Sequence, residues 1–467
     1  MERLYAIILA LSGIALIYRM YRQAKRGDVD VFSTRNFFLV GYIIFIFNSG
    51  VFTLGFDFYP ELRIQNPAKS GAIYTFIALT YLVIFLWTYK SGFIADRIAN
   101  KVNPKFSVQG PIPMLVLAVT FMVLSCVFKF VLGQIEFLGV ITQTLAIGMA
   151  AASAALAAWA WAPRPFNIIV GTIAAALIFL AMGLAVYQAF GRRDVLSVML
   201  AALWGAHYGH WRHIGLKRSL AQIVPVALLT LFAVASFTGA RALSSGAHLG
   251  FTESFRRVTQ GDVSDGLFQM GAQDTASCSL WLIETRPEPF HYDTLHSFRY
   301  FIGHPIPRRF WETKPSALGL TMVNEASIKN KARGFNFGPG LCGHIMNDNP
   351  WLSLVPYAVG IGIMLRFMDR LVLRFPLNPF VVVPMGVAVG EILALPRGEL
   401  GLFLVRTVAS SSGVWIIMWL IALVGGAIGL RGTPSTTKAE VTQPESVIDP
   451  DLALNYGDSD TDSERAS

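Results

Sequence analysis

Apolar residues in this chain come in long runs separated by short polar connections. A run of about 17–25 apolar residues is long enough to cross a bilayer as a helix. Such runs occupy residues 4–18, 37–56, 71–89, 111–131, 137–161, 166–190, 195–211, 220–240, 351–365, 376–395 and 400–430. They predict an all-α polytopic membrane protein with about eleven transmembrane helices, the first, seventh and ninth of them short. No small-x-small cleavage pattern follows the first run before Arg19 and Arg22, so it reads as a retained anchor.

The polar connections carry the orientation. Arg19, Arg22, Lys25, Arg26 and Arg35 fill the first, Lys90, Arg97, Lys101 and Lys105 the third, and Arg164 the fifth. Arg212, Lys217 and Arg218 fill the seventh, and Arg366, Arg370 and Arg374 the ninth. All lie on alternate connections, as a single cytoplasmic side requires, which puts the N-terminus outside and the C-terminus in the cytoplasm. The chain then divides into helices one to eight over 1–238, an extracytoplasmic loop domain over 239–350, and helices nine to eleven over 351–430. A tail over 431–467, acidic and rich in Ser and Thr, reads as disordered.

Composition agrees with the runs. Hydrophobic residues make up 54% of the 467 and charged residues only 14%, with a mean hydropathy of +0.52. So few ionic side chains could not coat a water-facing surface of this size, which excludes a soluble globular enzyme as well as a disordered or fibrous chain. The net charge of +9 follows from the one-sided Lys and Arg and does not call for nucleic acid. Cys126, Cys278 and Cys342 are too few for a disulfide scaffold or a cysteine-based zinc site, although Cys278 and Cys342 share the outer side and are a possible pair.

The connection over 239–350 is unlike the others. Its 112 residues hold five of the eight histidines, and Trp281, Phe290, Tyr292, Phe298, Tyr300, Phe310 and Trp311 give it surface to bury. An ordered loop of this length is where chemistry is expected. Its strongest local pattern runs from Ile306 to Pro315: two prolines bracket Arg308, Arg309 and Lys314 among aromatics, with Gly319 following. Guanidinium forks suit phosphate oxygens, so the segment reads as a site for an anion with an apolar or sugar neighbour. The alternative is a basic segment lying on anionic headgroups.

A second cluster, Gly191-Arg192-Arg193-Asp194, sits at the outer end of the sixth run and breaks the positive-inside pattern. It is either a cavity-facing site or a pair of snorkelling side chains. Arg397 and Arg406, at the outer ends of the last two runs, are similar candidates. His207, His210 and His213 resemble a metal cluster, but their place beside Trp211 and Arg212 favours an interfacial belt. Candidate bases in the loop are Glu284, Glu288, Asp293, His291, His296 and His344, the last following a glycine-rich approach over 336–343. Signatures of metalloproteases, P-loop ATPases and serine hydrolases are absent.

With these features the chain resembles the Wzy-type polysaccharide repeat-unit polymerases of bacterial envelopes. The likeness rests on the many spans, the large late outer loop, the Arg308-x10-Gly319 spacing, the Gly-Arg-Arg ahead of an apolar helix and the glycine-rich approach to the ninth span. Neither Arg192 nor Arg193 repeats the x10-Gly spacing, although Gly205 is close, so which of the two acts stays open. The resemblance implies a GT-C-like glycosyltransferase of the bacterial inner membrane. Its donor and acceptor would be polyprenyl-diphosphate-linked oligosaccharides, with a flippase and a chain-length regulator as further partners. In that picture Arg308 and Arg192 or Arg193 stabilise the departing diphosphate, supported by Arg309, Lys314, Arg397 and Arg406. His344 is the base by analogy with related glycan ligases, with Glu284 and Asp293 in reserve. Several arginines supply the charge, so no metal or cofactor is called for. The rivals are a ligase moving a finished glycan, and a transporter, which would need discontinuous helices and internal repeats.

Overall fold

The computed structural model describes residues 1–59, 62–104, 106–107, 110–135, 139–187, 192–215, 218–225, 274–328 and 336–427, with single positions between 228 and 264. Most of the predicted eighth run, the loop over 239–273 and the tail over 431–467 lie outside these residues. Among the described residues the architecture is all helical, with no strand.

Among the described residues eight helical stretches are long and apolar enough to cross a membrane: Glu2–Arg26, Thr34–Gly55, Pro67–Ser91, Pro111–Gln134, Ile141–Trp161, Ile168–Val186, Pro350–Arg374 and Leu400–Val424. We label the helices in chain order. The first is α1 (Glu2–Arg26). The second stretch is α2 (Thr34–Tyr42) and α3 (Ser49–Gly55), joined by a π-helical turn over Ile43–Asn48. Then come α4 (Pro67–Ser91), the short α5 (Phe93–Lys101), α6 (Pro111–Cys126), α7 (Gly139–Trp161), α8 (Ile168–Val186) and α9 (Arg192–Gly209). The predicted run at 195–211 is therefore a helix, α9, but falls outside the eight because its first turn is charged.

The late loop contributes α10 (Thr275–Thr285), α11 (His296–Gly303), α12 (Leu318–Glu325) and α13 (Gly340–Asn347). After them come α14 (Pro350–Arg374), α15 (Pro379–Gly386), α16 (Val389–Ala394) and α17 (Leu400–Ala427). The predicted run at 376–395 is thus two short helices, with Pro384 inside the first.

Small residues let the helices approach closely, as packing inside a membrane requires. The centre of the bundle is α7, an alanine-rich helix buried against α6, α8 and α9. A Cβ on Gly205 would lie 2.0 Å from the Ala155 carbonyl oxygen, and one on Gly41 would lie 1.9 Å from that of Leu393. No residue but glycine fits at either crossing.

Two ends of the bundle are distinguished by their polar contacts. At one, Asp30 of the first connection holds His207 at 2.7 Å and Arg212 at 2.8 Å. Asp369 accepts the Thr34 and Arg35 N–H groups at the start of α2 and the Tyr89 hydroxyl. Arg366 makes a two-pronged pair with Asp96, and Asn378 donates to the Phe106 carbonyl. The first, third, seventh and ninth connections therefore meet at one end, as the pattern of basic residues required. At the other end Glu284 takes the Gln65 and Asn66 N–H groups at 2.7 Å each, tying the late loop to the start of α4.

The late loop is not a detached layer on that end. Residues Thr275–Ile283 of α10 and all of α13 are buried, and α10 packs on α3, α4 and α13. The Ser49 hydroxyl, in the middle of the second span, accepts the Ala276 N–H at 3.0 Å. The helix thus enters the bundle from the loop end. Its backbone satisfies the rule that irregular chain at membrane depth must be enclosed by protein. Cys278 and Cys342, offered as a pair, are both free thiols here, each buried in one of these two inserted helices.

Candidate active site

At the loop end, the break between α16 and α17 gathers a set of buried polar groups. Pro396 and Arg397 turn the chain, and the Pro396 carbonyl accepts the Leu341 N–H at 3.0 Å. Gly340 takes φ +67°, and a Cβ there would lie 2.1 Å from the Thr275 methyl, so the glycine-rich approach serves close backbone packing beside Arg397. Glu399 precedes α17 and caps the start of α12: the Leu318 N–H donates to its Oε2 at 2.9 Å. Gly319 also donates its N–H to this carboxyl. A side chain on Gly319 would collide with the Phe337 carbonyl at 2.1 Å, which accounts for the glycine in the Arg308-x10-Gly spacing.

Glu399 is almost fully buried, and its Oε1 has no hydrogen-bond partner. Burial pushes its carboxyl up to about 7, against the nearby His296 and the two N–H donors, which pull it down. A carboxyl that titrates near neutrality with an oxygen to spare has the properties of a general base.

Phe403 and Arg406 stand three residues apart on one face of α17, in the first two turns after Glu399. The Arg193 guanidinium lies 4.7 Å from the centre of the Phe403 ring, within electrostatic reach of Arg406, Arg397, Asp194 and Glu391. Arg406 places one nitrogen 3.4 Å from both Asp194 and Glu391. Arg406, Asp194 and Glu391 line a cavity of about 10 Å³ with Ser197, Gln143 and Ser410, room for about one water and no substrate. Arg397 lies over the Phe45 ring at 5.9 Å.

Tyr300 joins this cluster to the loop. Burial and the charge of Glu399 push its hydroxyl up to about 12, while Arg406 and Arg308 pull the other way. Its ring centre is 5.2 Å from that of His304. Burial, Lys314 and Arg406 hold His304 down at about 4, so it is neutral at physiological pH.

The residues singled out in the sequence take different places. Arg193, Arg397 and Arg406 converge, whereas Arg308 shares with Arg406 only an electrostatic effect on Tyr300. Arg192 begins α9, but its side chain lies outside the described residues. Arg308 and Arg309 are exposed in one turn after α11, with Arg309 over the Phe310 ring at 5.4 Å. Lys314 bonds the His304 and Ile306 carbonyls at 2.9 Å each, so it closes the C-terminal end of α11.

His344 is fully buried between Ser297 and α17. The Leu400 N–H donates to its Nε2 at 3.2 Å, which leaves the proton on Nδ1 to bond the Ser297 hydroxyl at 2.7 Å. Burial and the neighbouring His296 hold it down at about 3, so it stays neutral and both nitrogens are engaged. Glu284 is engaged by α4, and Asp293 pairs with His296 and Arg299. Glu288 and His291 are exposed. His207 is stacked on Phe32 and bonded to Asp30, and among the described residues no three His, Cys, Asp or Glu side chains form a metal-holding group.

Sequence reasoning missed Glu399, Tyr300 and Ser297. The available signal was a lone acid in Pro396-Arg397-Gly398-Glu399, between two apolar runs, where an ionisable group needs a reason. No protein-family model, no curated protein and no solved structure matches this chain.

Proposed function

We propose that the protein transfers a glycan from a polyprenyl diphosphate at the membrane face carrying the late loop, and that it acts as a repeat-unit polymerase of the bacterial inner membrane. The single observation carrying this reading is that Glu399, a buried carboxyl with one oxygen free of hydrogen bonds, and Arg406, which lies in reach of Arg193 as Arg397 does, both act on Tyr300 at the loop end of the bundle. Base and cations of this kind are what the reaction demands. An acceptor sugar hydroxyl attacks the anomeric carbon, the bond from that carbon to the phosphate oxygen breaks, and the electron pair leaves with the diphosphate. The hydroxyl proton passes to Glu399. Fixed guanidinium groups stabilise the growing negative charge more than the ground state. Arg308 closes over the diphosphate from the loop, while Asp194 and Glu391 hold Arg406 in place. His344, locked between Ser297 and Leu400, positions the start of α17 and leaves the base role to Glu399. The positive-inside rule supports the basic end as cytoplasmic, with the N-terminus outside.

The inserted helices α10 and α13 and the broken α15–α16 favour a second reading, a transporter whose half-helices line a path for an anionic substrate. Purified protein in lipid, given one defined diphosphate-linked repeat unit, separates the readings. A polymerase yields a ladder of lengthening products with release of polyprenyl diphosphate. A ligase leaves the repeat unit unextended, and a transporter moves it without chemical change. A ladder that persists in Glu399→Gln overturns the assignment of the base.

A further inference from the structure

We propose that α11 and the turn carrying Arg309 form a membrane-docking element seated in the headgroup layer of the leaflet on the loop's side, its occupant being a bilayer with anionic lipid. The inner face of α11 carries His296, Ser297, Tyr300 and Gly303, all buried. Its outer face carries apolar residues where a water-facing helix would carry polar ones: Phe298 is 51% exposed and Ile302 53%, flanked by Leu295 and Ile306.

What lies against that outer face follows from where the inner one sits. α11 packs on the first turn of α17, where Gly401 leaves space for the Ser297 carbonyl and the Tyr300 ring. Positions 401, 408, 412 and 419 form one stripe along α17. Farther down that stripe Val408 is 46% and Trp419 52% exposed, which in a helix read as membrane-spanning means contact with lipid. α11 therefore covers the outer end of a lipid-facing stripe, and its own apolar face continues that surface at interfacial depth. A short helix lying in the interface, apolar side down with cations beside it, is a stable arrangement. The exposed Arg309 supplies such a cation, complementary to lipid phosphates. The placement depends on packing alone and stands apart from the glycosyl-transfer reading.

The test uses the full chain in nanodiscs of mixed zwitterionic and anionic lipid, with Cys126→Ser to remove the half-buried native thiol. An environment-sensitive fluorophore is attached at Ile302→Cys and, as a water-facing reference, at the exposed Glu312→Cys. Lipid carrying a spin label high on its acyl chain should quench the probe at 302 by about threefold more than aqueous iodide does, with the order reversed at 312. Adding Arg309→Ala should weaken lipid quenching at 302 when anionic lipid is present. Iodide quenching at 302 equal to that at 312 overturns the proposal, and so does protection from both quenchers, which would mean that protein covers the face. Neither result bears on whether glycan is transferred.

Discussion

Glu399 shows how one side chain carries opposed demands. Its carboxyl sits at about 7 where the ordinary value is 4.5, so the folded state binds the proton more tightly than the unfolded one. The associated stabilisation is complete below pH 4.5 and is lost as pH rises through 7, a difference on the order of 3 kcal/mol. Glu399→Gln should therefore raise Tm at pH 8 relative to the parent and flatten its pH dependence, measured by thermal unfolding in detergent. The same variant should abolish the product ladder. In the parent, kcat/KM should climb across an acid limb centred near pH 7, because the ionised carboxylate takes the proton. At Arg308 the fork matters more than the charge, so Arg308→Lys should lower kcat/KM by about tenfold or more with normal protein levels, whereas an unchanged rate would reduce its role to net charge. The cations were legible in the sequence because arginines that break the one-sided charge pattern stand out against apolar runs. The proposed base was not, since burial and a missing hydrogen-bond partner are properties of the folded environment, and a histidine after a glycine-rich stretch looked the better candidate.

At the scale of elements, the glycines of the late loop act through the backbone. Gly319 lets the start of α12 lie against the Phe337 carbonyl while its N–H faces Glu399. Gly319→Ala should cost about 1–3 kcal/mol through forced displacement and should move the acid limb of the rate profile upward as an N–H donor withdraws from the carboxylate. Both are measurable on one purified variant by thermal unfolding and pH–rate analysis. Run length and apolar content made the spanning helices readable. The insertion of α10 and α13 escaped that reading because each is too short to register as a span, and only tertiary contact shows that they lie inside. Lys314 likewise read as an anion ligand from its neighbours, whereas the end of α11 offers it two carbonyls that no sequence spacing announces.

For the whole molecule, the two polar ends define the expected topology. Single cysteines at the exposed position 312 and the half-buried position 370 should react with a membrane-impermeant thiol reagent from opposite sides, 312 from outside and 370 only after permeabilisation. The reverse pattern would invert the orientation. The contacts at these ends also join distant parts of the chain. The amides at the start of α4 are taken up by Glu284, and those at the start of α2 by Asp369. During synthesis the early helices must therefore wait in the bilayer, their first turns bare, until carboxylates translated some two to three hundred residues later arrive. A nascent chain cut short before α10 leaves the gap beside α3 and α4 unfilled, which makes the stretch from α10 onward the step that commits the protein to its final form and the early fragments natural targets for membrane quality control.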